Sequence, residues 1–220
     1  MKIRNLSMIR VFVCLAALFL SAAPVFGQEC GPGCPLCTDG PRATIMEPGT
    51  FLLNAVVIPW GEDEKGVLGI KYGLLKWLDV GFGYTISAKK TVWSVRARLA
   101  AEKEKGWALG ILVGTGSVRI RGGDQSLYFQ LTKSVKVREG FGLRIYGGLS
   151  TLLPDFDRLY GIGGLTVTFN EKLSAFLNYD GRNFHPGVSW EAGEWLTLSA
   201  YLIESREFAL AAGVRFPRKK

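Results

Sequence analysis

His185 is the only histidine of the 220-residue chain, and histidine is the side chain best suited to proton transfer near neutral pH. A histidine that acts as a general base needs a serine nucleophile within hydrogen-bond reach. Ser174 and Ser189 share its predicted face, but no motif around them singles either one out, and Pro186 and Gly187 directly follow the histidine. We therefore expect a protein without enzymatic activity and without catalytic residues, and an enzyme that uses His185 is the alternative.

Three cysteines near the N-terminus follow the spacing Cys-x3-Cys-x2-Cys, at Cys30, Cys34 and Cys37. This spacing resembles the iron–sulfur loop of radical-generating enzymes, which need a reducing compartment and an α/β barrel. Three thiolates can also hold a metal, but tetrahedral zinc takes a fourth ligand and no histidine is near. We expect one local disulfide and one odd thiol in an oxidising periplasm, and no cofactor.

The N-terminus predicts export. Three cationic residues lie within the first ten positions, an apolar run covers residues 11–23, and Val25 and Gly27 suit cleavage before Gln28. The run is too short for a membrane anchor. The chain then divides into a signal peptide at 1–27, a flexible Cys/Gly/Pro leader at 28–48, a barrel at 49–217 and a basic tail at 218–220.

Residues 172–216 show the pattern that extends over the rest of the chain. Apolar residues alternate with polar, small or charged ones in four short segments, and tight turns separate the segments. A strand tilted across a bilayer needs about 9–11 residues, with apolar side chains outside and polar ones inside a closed wall. Residues 78–86 show the same pattern most cleanly, because apolar residues from Leu78 to Ile86 alternate with Asp79, two glycines and a threonine.

The pattern predicts an all-β fold: a closed, antiparallel, up-and-down transmembrane β-barrel of about twelve strands. The sixth strand is expected over residues 127–132, the seventh from 141 to 146, and a loop over 151–157. Aromatic residues fall near both ends of the predicted strands, as two bilayer interfaces would favour. A soluble β-sheet protein that binds a partner is the alternative, because aromatic residues also flank turns in soluble sandwiches.

Side chains on the polar face are predicted to line the lumen. They are Lys71, Asp79, Arg96, Arg98, Arg144, Tyr146, Asp180, His185, Glu191 and Arg215. Buried charges must pair or meet water. Two interpretations stay open: a cation-lined pore that favours anions, and a salt-bridged lumen that its own side chains fill.

The formal charge of +8 raises the question of nucleic-acid binding. The chain contains no basic stripe or stacking motif of the usual kinds, so we expect no nucleic-acid partner. The expected partners are the lipid bilayer of the outer membrane and the assembly machinery that reads a terminal aromatic residue, because residues 208–216 end in Phe216 and resemble that signal. The oligomeric state has no signature in the sequence.

The closing hairpins resemble the repeated hairpins of YjbH-like outer-membrane barrels. In that family a Tyr-Asp-Gly turn precedes a Gly-x-x-Tyr/Trp strand and a Trp-Leu turn, and residues 179–181, 187–190 and 195–196 match these positions. The resemblance covers residues 107–216. It implies an outer-membrane barrel with a structural or passive-transport role, linked to the envelope through exopolysaccharide genes. The enzyme alternative would resemble the outer-membrane phospholipase in architecture, as a lipid-modifying barrel.

Overall fold

A computed structural model describes residues 45–61, 65–87, 89–102, 108–116, 125–154, 156, 158–170 and 172–216. These residues form twelve strands: β1 (Phe51–Val57), β2 (Gly66–Leu75), β3 (Leu78–Thr85), β4 (Lys90–Ala100), β5 (Gly110–Gly116), β6 (Ser126–Arg138), β7 (Phe141–Leu152), β8 (Leu159–Phe169), β9 (Leu173–Tyr179), β10 (Phe184–Glu191), β11 (Leu196–Ile203) and β12 (Glu207–Phe216). Across these ranges, no helix is long and apolar enough to cross a membrane.

The twelve strands form one closed antiparallel barrel, as predicted from the sequence. Every strand pairs with its neighbours in the chain, and β1 closes the wall against β12, from Phe51 opposite Phe216 to Val57 opposite Leu210. Because the strand number is even, β1 begins and β12 ends at the same end of the barrel. We call this end the base and the opposite end the mouth.

Alternation along each strand decides which side chains face outward. In β1, Phe51, Leu53 and Val57 are exposed, whereas Leu52 and Val56 between them are buried. Successive strand residues point to opposite faces, so the exposed set covers the outside of the wall and the buried set faces the interior. A one-residue slip in register would exchange the two sets, so the burial pattern fixes the register.

The hairpin of β6 and β7 extends further than the sequence predicts. Pairing continues past the predicted end of the sixth strand, because Lys133 to Lys136 keep their partners on β7 and the register shifts only between Lys136 and Arg138. Gly140, with a φ of 71°, then closes a two-residue turn. The seventh strand continues through Gly147 and Gly148, which keep their partners on β6. The sequence predicts turn residues around Lys136 and Glu139, but Lys136 still pairs with Gly142, and the turn consists of Glu139 and Gly140.

Aromatic side chains contact one another along both rims of the exterior. Two ring pairs lie near the base and two near the mouth. They are Phe51 with Tyr72 at 4.5 Å, Phe141 with Phe169 at 5.6 Å, Tyr179 with Phe184 at 4.9 Å, and Trp60 with Phe208 at 6.1 Å between ring centroids. Trp107, another expected rim residue, lies outside the described residues.

Candidate functional site

The interior of the barrel has a tightly packed half and an accessible half. Most inward side chains of β1–β5 are buried, whereas most of those on β6–β11 are half-buried. A side chain on the inside of a closed wall retains accessible area only where internal space or an end of the barrel reaches it. The interior space of the described barrel therefore lies mainly along β6–β11.

The packed half contains an ion pair on the neighbouring strands β3 and β4. Nε of Arg96 donates to Oδ1 of Asp79 at 2.8 Å, and Nη2 donates to Oδ2 at 2.6 Å. Asp79 is fully buried, and Arg96 is 7% exposed. This two-point contact is the geometry in which arginine binds a carboxylate most strongly. Lys71, also fully buried, is opposite Gly81, two residues along β3 from Asp79, so the sequence-predicted Lys71, Asp79 and Arg96 lie on three neighbouring strands in the same part of the interior.

Two further predicted arginines are held by local contacts. Nη2 of Arg98 donates to the carbonyl oxygen of Lys76 at 2.7 Å, in the turn at the base. Nε of Arg144 donates to Oγ of Ser134 at 2.9 Å. The amide of the same serine donates to Oε1 of Glu102, so the guanidinium of Arg144 lies beside an acidic side chain. These arginines are therefore engaged with the wall.

Tyr146, Glu191 and Arg215 complete the predicted interior set, and each is half-buried. The hydroxyl of Tyr146 donates to Oδ1 of Asn178 at 3.3 Å across β8. Glu191 and Arg215 lie near the base of the barrel, where β10 and β12 end. The structure therefore does not bring these three together with the Asp79 ion pair.

His185 and Asp180 lie together at the mouth. Nε2 of His185 is 3.0 Å from Oδ2 of Asp180, and the amide of Glu204 donates to Nδ1 at 3.1 Å. Because Nδ1 accepts a hydrogen bond, the ring proton is on Nε2 and is donated to Asp180. Both ring nitrogens are thus occupied, and neither is available to activate a serine.

Asp180 also organises the turn between β9 and β10. Its Oδ1 accepts hydrogen bonds from the amides of Arg182 at 2.9 Å and Asn183 at 2.8 Å. Burial by itself would raise the pKa of Asp180, but the hydrogen bonds from His185, Asn183 and Arg182 outweigh it and hold this pKa below the ordinary value of 3.8. The carboxylate is therefore the stable form in the folded protein.

A row of hydroxyl side chains crosses four strands of the accessible half, and the sequence analysis did not identify it as a unit. Thr168, Ser174, Ser189 and Ser199 are successive register partners on β8–β11. Thr168 and Ser174 are hydrogen-bonded at 3.1 Å, and Ser199 donates to Ser189 at 3.0 Å. All four are half-buried. Their shared inward parity on neighbouring strands is the sequence signal that could have found them.

An apolar cluster lies on the interior side of β1, β2, β11 and β12 near the mouth. It consists of Val56, Ile58, Val67, Tyr201, Ile203, Ala209 and Ala211, with Phe176 packed against it. Phe176 lies over Gly187, where an added Cβ would be 2.4 Å from its ring. Phe176 is an aromatic residue on the otherwise polar or small inward face of β9, and its contact with Tyr201, at 6.3 Å between centroids, explains this exception.

The cysteine prediction concerns a part of the chain that lies outside the described residues, namely Cys30, Cys34 and Cys37. In the ranges that the structure does describe, no group of three or more His, Cys, Asp or Glu side chains is placed to hold a metal ion.

The comparisons with known proteins bear on the fold. No protein-family model matches the chain, and no curated protein matches it. Among solved structures, it is similar to a KdgM porin with a TM-score of 0.51 and 12% sequence identity, over 77% of this chain and 99% of that one. At this identity the similarity shows the fold alone: the chain has a porin-like, closed, twelve-stranded β-barrel.

Proposed function

We propose that this chain is an outer-membrane barrel through which small hydrophilic solutes pass along the accessible half of the interior. The exterior supports the membrane part of the proposal, because apolar side chains cover the wall and aromatic pairs lie at both rims. Bacterial barrels with an even strand number have both chain ends in the periplasm, so the base faces the periplasm and the mouth faces outward. Export through the predicted signal peptide belongs to the same proposal.

The observation that carries passive transport is the half-buried hydroxyl row. Thr168, Ser174, Ser189 and Ser199 face inward and yet retain accessible area. Hydroxyl groups can exchange their mutual hydrogen bonds for bonds to water or to a polar solute. The packed half leaves no comparable surface on β1 or on β3, where inward residues such as Leu52 and Asp79 are buried.

The charge distribution favours weak ion selectivity over the anion preference that a cation-lined pore would have. Arg96 is paired with Asp79, Arg98 is bonded to a backbone carbonyl, and Arg144 lies beside Glu102. The carboxylates of Asp79 and Glu102 reduce the fields of Arg96 and Arg144, and Arg98 lies on β4, across the barrel from most of the accessible half. We therefore expect similar permeability to small anions and cations.

Conductance of the purified protein in planar bilayers tests the proposal, after heat-dependent gel mobility has established that the barrel is folded. Ser189→Trp places a large side chain in the accessible half and should lower the conductance. Val188→Trp adds the same side chain at the lipid-facing neighbour, which is 50% exposed, and should leave it unchanged. A folded barrel without conductance would favour the purely structural role instead.

The link to exopolysaccharide is a finer proposal that rests on the hairpin resemblance. The turn residues Tyr179 and Asp180 and the rim residue Trp190 carry that resemblance, and none of them specifies a polymer. Deletion of the gene followed by measurement of surface polysaccharide tests it. An unchanged amount and chain length of polysaccharide would contradict it.

A further inference from the structure

Residues 45–50, which precede β1, lie inside the barrel at its base. We call them the inner segment. Ile45 is 8% exposed and Thr50 is 5% exposed. The amide of Met46 donates to Oδ2 of Asp79 at 3.1 Å, and Asp79 is an inward side chain of β3. The sequence assigns residues 45–48 to a flexible leader, yet these residues contact the interior wall.

Gly73 of β2 gives the inner segment its place against the wall. The Gly73 amide donates to the carbonyl oxygen of Thr50 at 3.0 Å, and the Gly49 amide donates to the carbonyl oxygen of Gly73 at 2.8 Å. A Cβ at Gly73 would be 2.1 Å from the carbonyl oxygen of Glu47 and 2.9 Å from that of Met46. Because these atoms are backbone, no rotamer change could relieve the clash. Only glycine at position 73 allows the inner segment to lie where it does.

The Asp79 carboxylate provides the second attachment. It is fully buried and already binds Arg96 at two points, so the Met46 amide is a further donor to a buried charge. Hydrogen bonds to a charged acceptor are stronger than those between neutral groups. The inner segment is therefore fixed on two adjacent strands: backbone bonds to Gly73 continue the β1–β2 ladder, and the inward Asp79 of β3 binds the Met46 amide from the interior.

We propose that the inner segment is a built-in obstruction that narrows the base of the barrel and limits passage through it. This inference rests on the proposed transport function, since an obstruction has meaning only where solutes pass. Ile45 is buried, the Met46 amide contacts the inward Asp79, and the Glu47 carbonyl lies over Gly73, so the segment occupies cross-section that the strands alone would leave free. Its release should widen the opening next to the accessible half.

The test uses the full chain with two independent substitutions that release the inner segment. Gly73→Ala removes the space for the Glu47 carbonyl. Met46→Pro removes the amide that binds Asp79 and leaves every wall residue unchanged. Gly142→Ala is the matched control, because a Cβ at this inward glycine of β7 would meet its nearest atom, the carbonyl oxygen of Val135, at an ordinary 3.9 Å.

Two measurements are made on each protein. Hydrogen exchange of the peptide that contains Met46 reports whether the segment has left the wall, and single-channel conductance reports passage. We expect faster exchange and higher conductance in Gly73→Ala and Met46→Pro, and neither change in Gly142→Ala. Slow exchange in both releasing variants would overturn the inference, as would faster exchange with unchanged conductance. If the unaltered protein and all variants fold but conduct nothing, the proposed transport function fails, and the inference fails with it.

Discussion

Nε2 of His185 donates its proton to Oδ2 of Asp180, and the two side chains connect the turn after β9 to the start of β10 at the mouth. The amide of Glu204, which donates to Nδ1, fixes this tautomer and ties the neighbouring turn between β11 and β12 to the same histidine. Three donors, two backbone amides and the His185 ring, bind the Asp180 carboxylate. This one charged group therefore holds its own turn and, through His185, the turn between β11 and β12.

The first prediction concerns Asp180→Asn. The amide group of asparagine cannot accept the Nε2 proton with the atom that replaces Oδ2, and the other histidine tautomer would place a proton against the Glu204 amide. Either arrangement leaves a donor facing a donor, so we expect a loss of about 1–3 kcal/mol in the free energy of unfolding. Denaturant titration in detergent micelles measures it, with the exposed turn substitution Glu194→Gln as control.

The same carboxylate predicts how stability depends on pH. Its pKa is lower in the folded protein than the ordinary 3.8, so its contribution is complete above that value and is lost as the pH falls through it toward the lowered pKa. Unfolding titrations from about pH 5 down to about pH 2 should show this loss in the unaltered protein, and a smaller loss in Asp180→Asn. An identical acid dependence in the two proteins would contradict the assignment.

The second prediction concerns the enzyme alternative. Since both nitrogens of His185 are engaged in hydrogen bonds, His185→Ala should leave any release of fatty acid from phospholipid unchanged. The free energy of unfolding should fall, because the Glu204 amide loses its acceptor. A lipid-hydrolysing activity that disappears in a folded His185→Ala barrel would restore the alternative.

The third prediction concerns the ion pair of the packed half. Asp79→Leu or Arg96→Met alone leaves a buried charge without its partner and should cost about 3–5 kcal/mol. The double variant removes both charges and should cost clearly less than the sum of the two single variants. Denaturant titration of the four proteins gives the coupling energy, and additive losses would show that the contact in the folded barrel is weak.

The fourth prediction tests whether the exposed apolar surface faces a membrane. Leu165 lies in the middle of β8 and Leu173 at the base end of β9, and both face outward. An arginine costs about 2–4 kcal/mol at the bilayer midplane and about 0–1 kcal/mol near its surface. Leu165→Arg should therefore impair folding into lipid vesicles much more than Leu173→Arg does. Equal effects in vesicles would argue against this orientation in a bilayer.

The strands of the wall could be predicted from the sequence because apolar and polar residues alternate along them, and the outward residues are mostly apolar on every strand. The interior could be predicted less well. Parity places Asp79 and Arg96 on the inside, but only the register shows that they are opposite each other. The position of Met46 could not be predicted, since the residues before β1 have no periodicity. Its signal is indirect: Gly73 stands at an inward position where a side chain would be excluded.

The seam between β1 and β12 has a consequence for biosynthesis. Because the strand made first finds its second neighbour only in the strand made last, the wall stays open until the final residues of β12 have been synthesised. A product that stops before Glu207 would expose the backbone of two unpaired edges, which invites aggregation and degradation. Truncated forms of this chain should therefore be degraded, and none should persist as a smaller folded barrel.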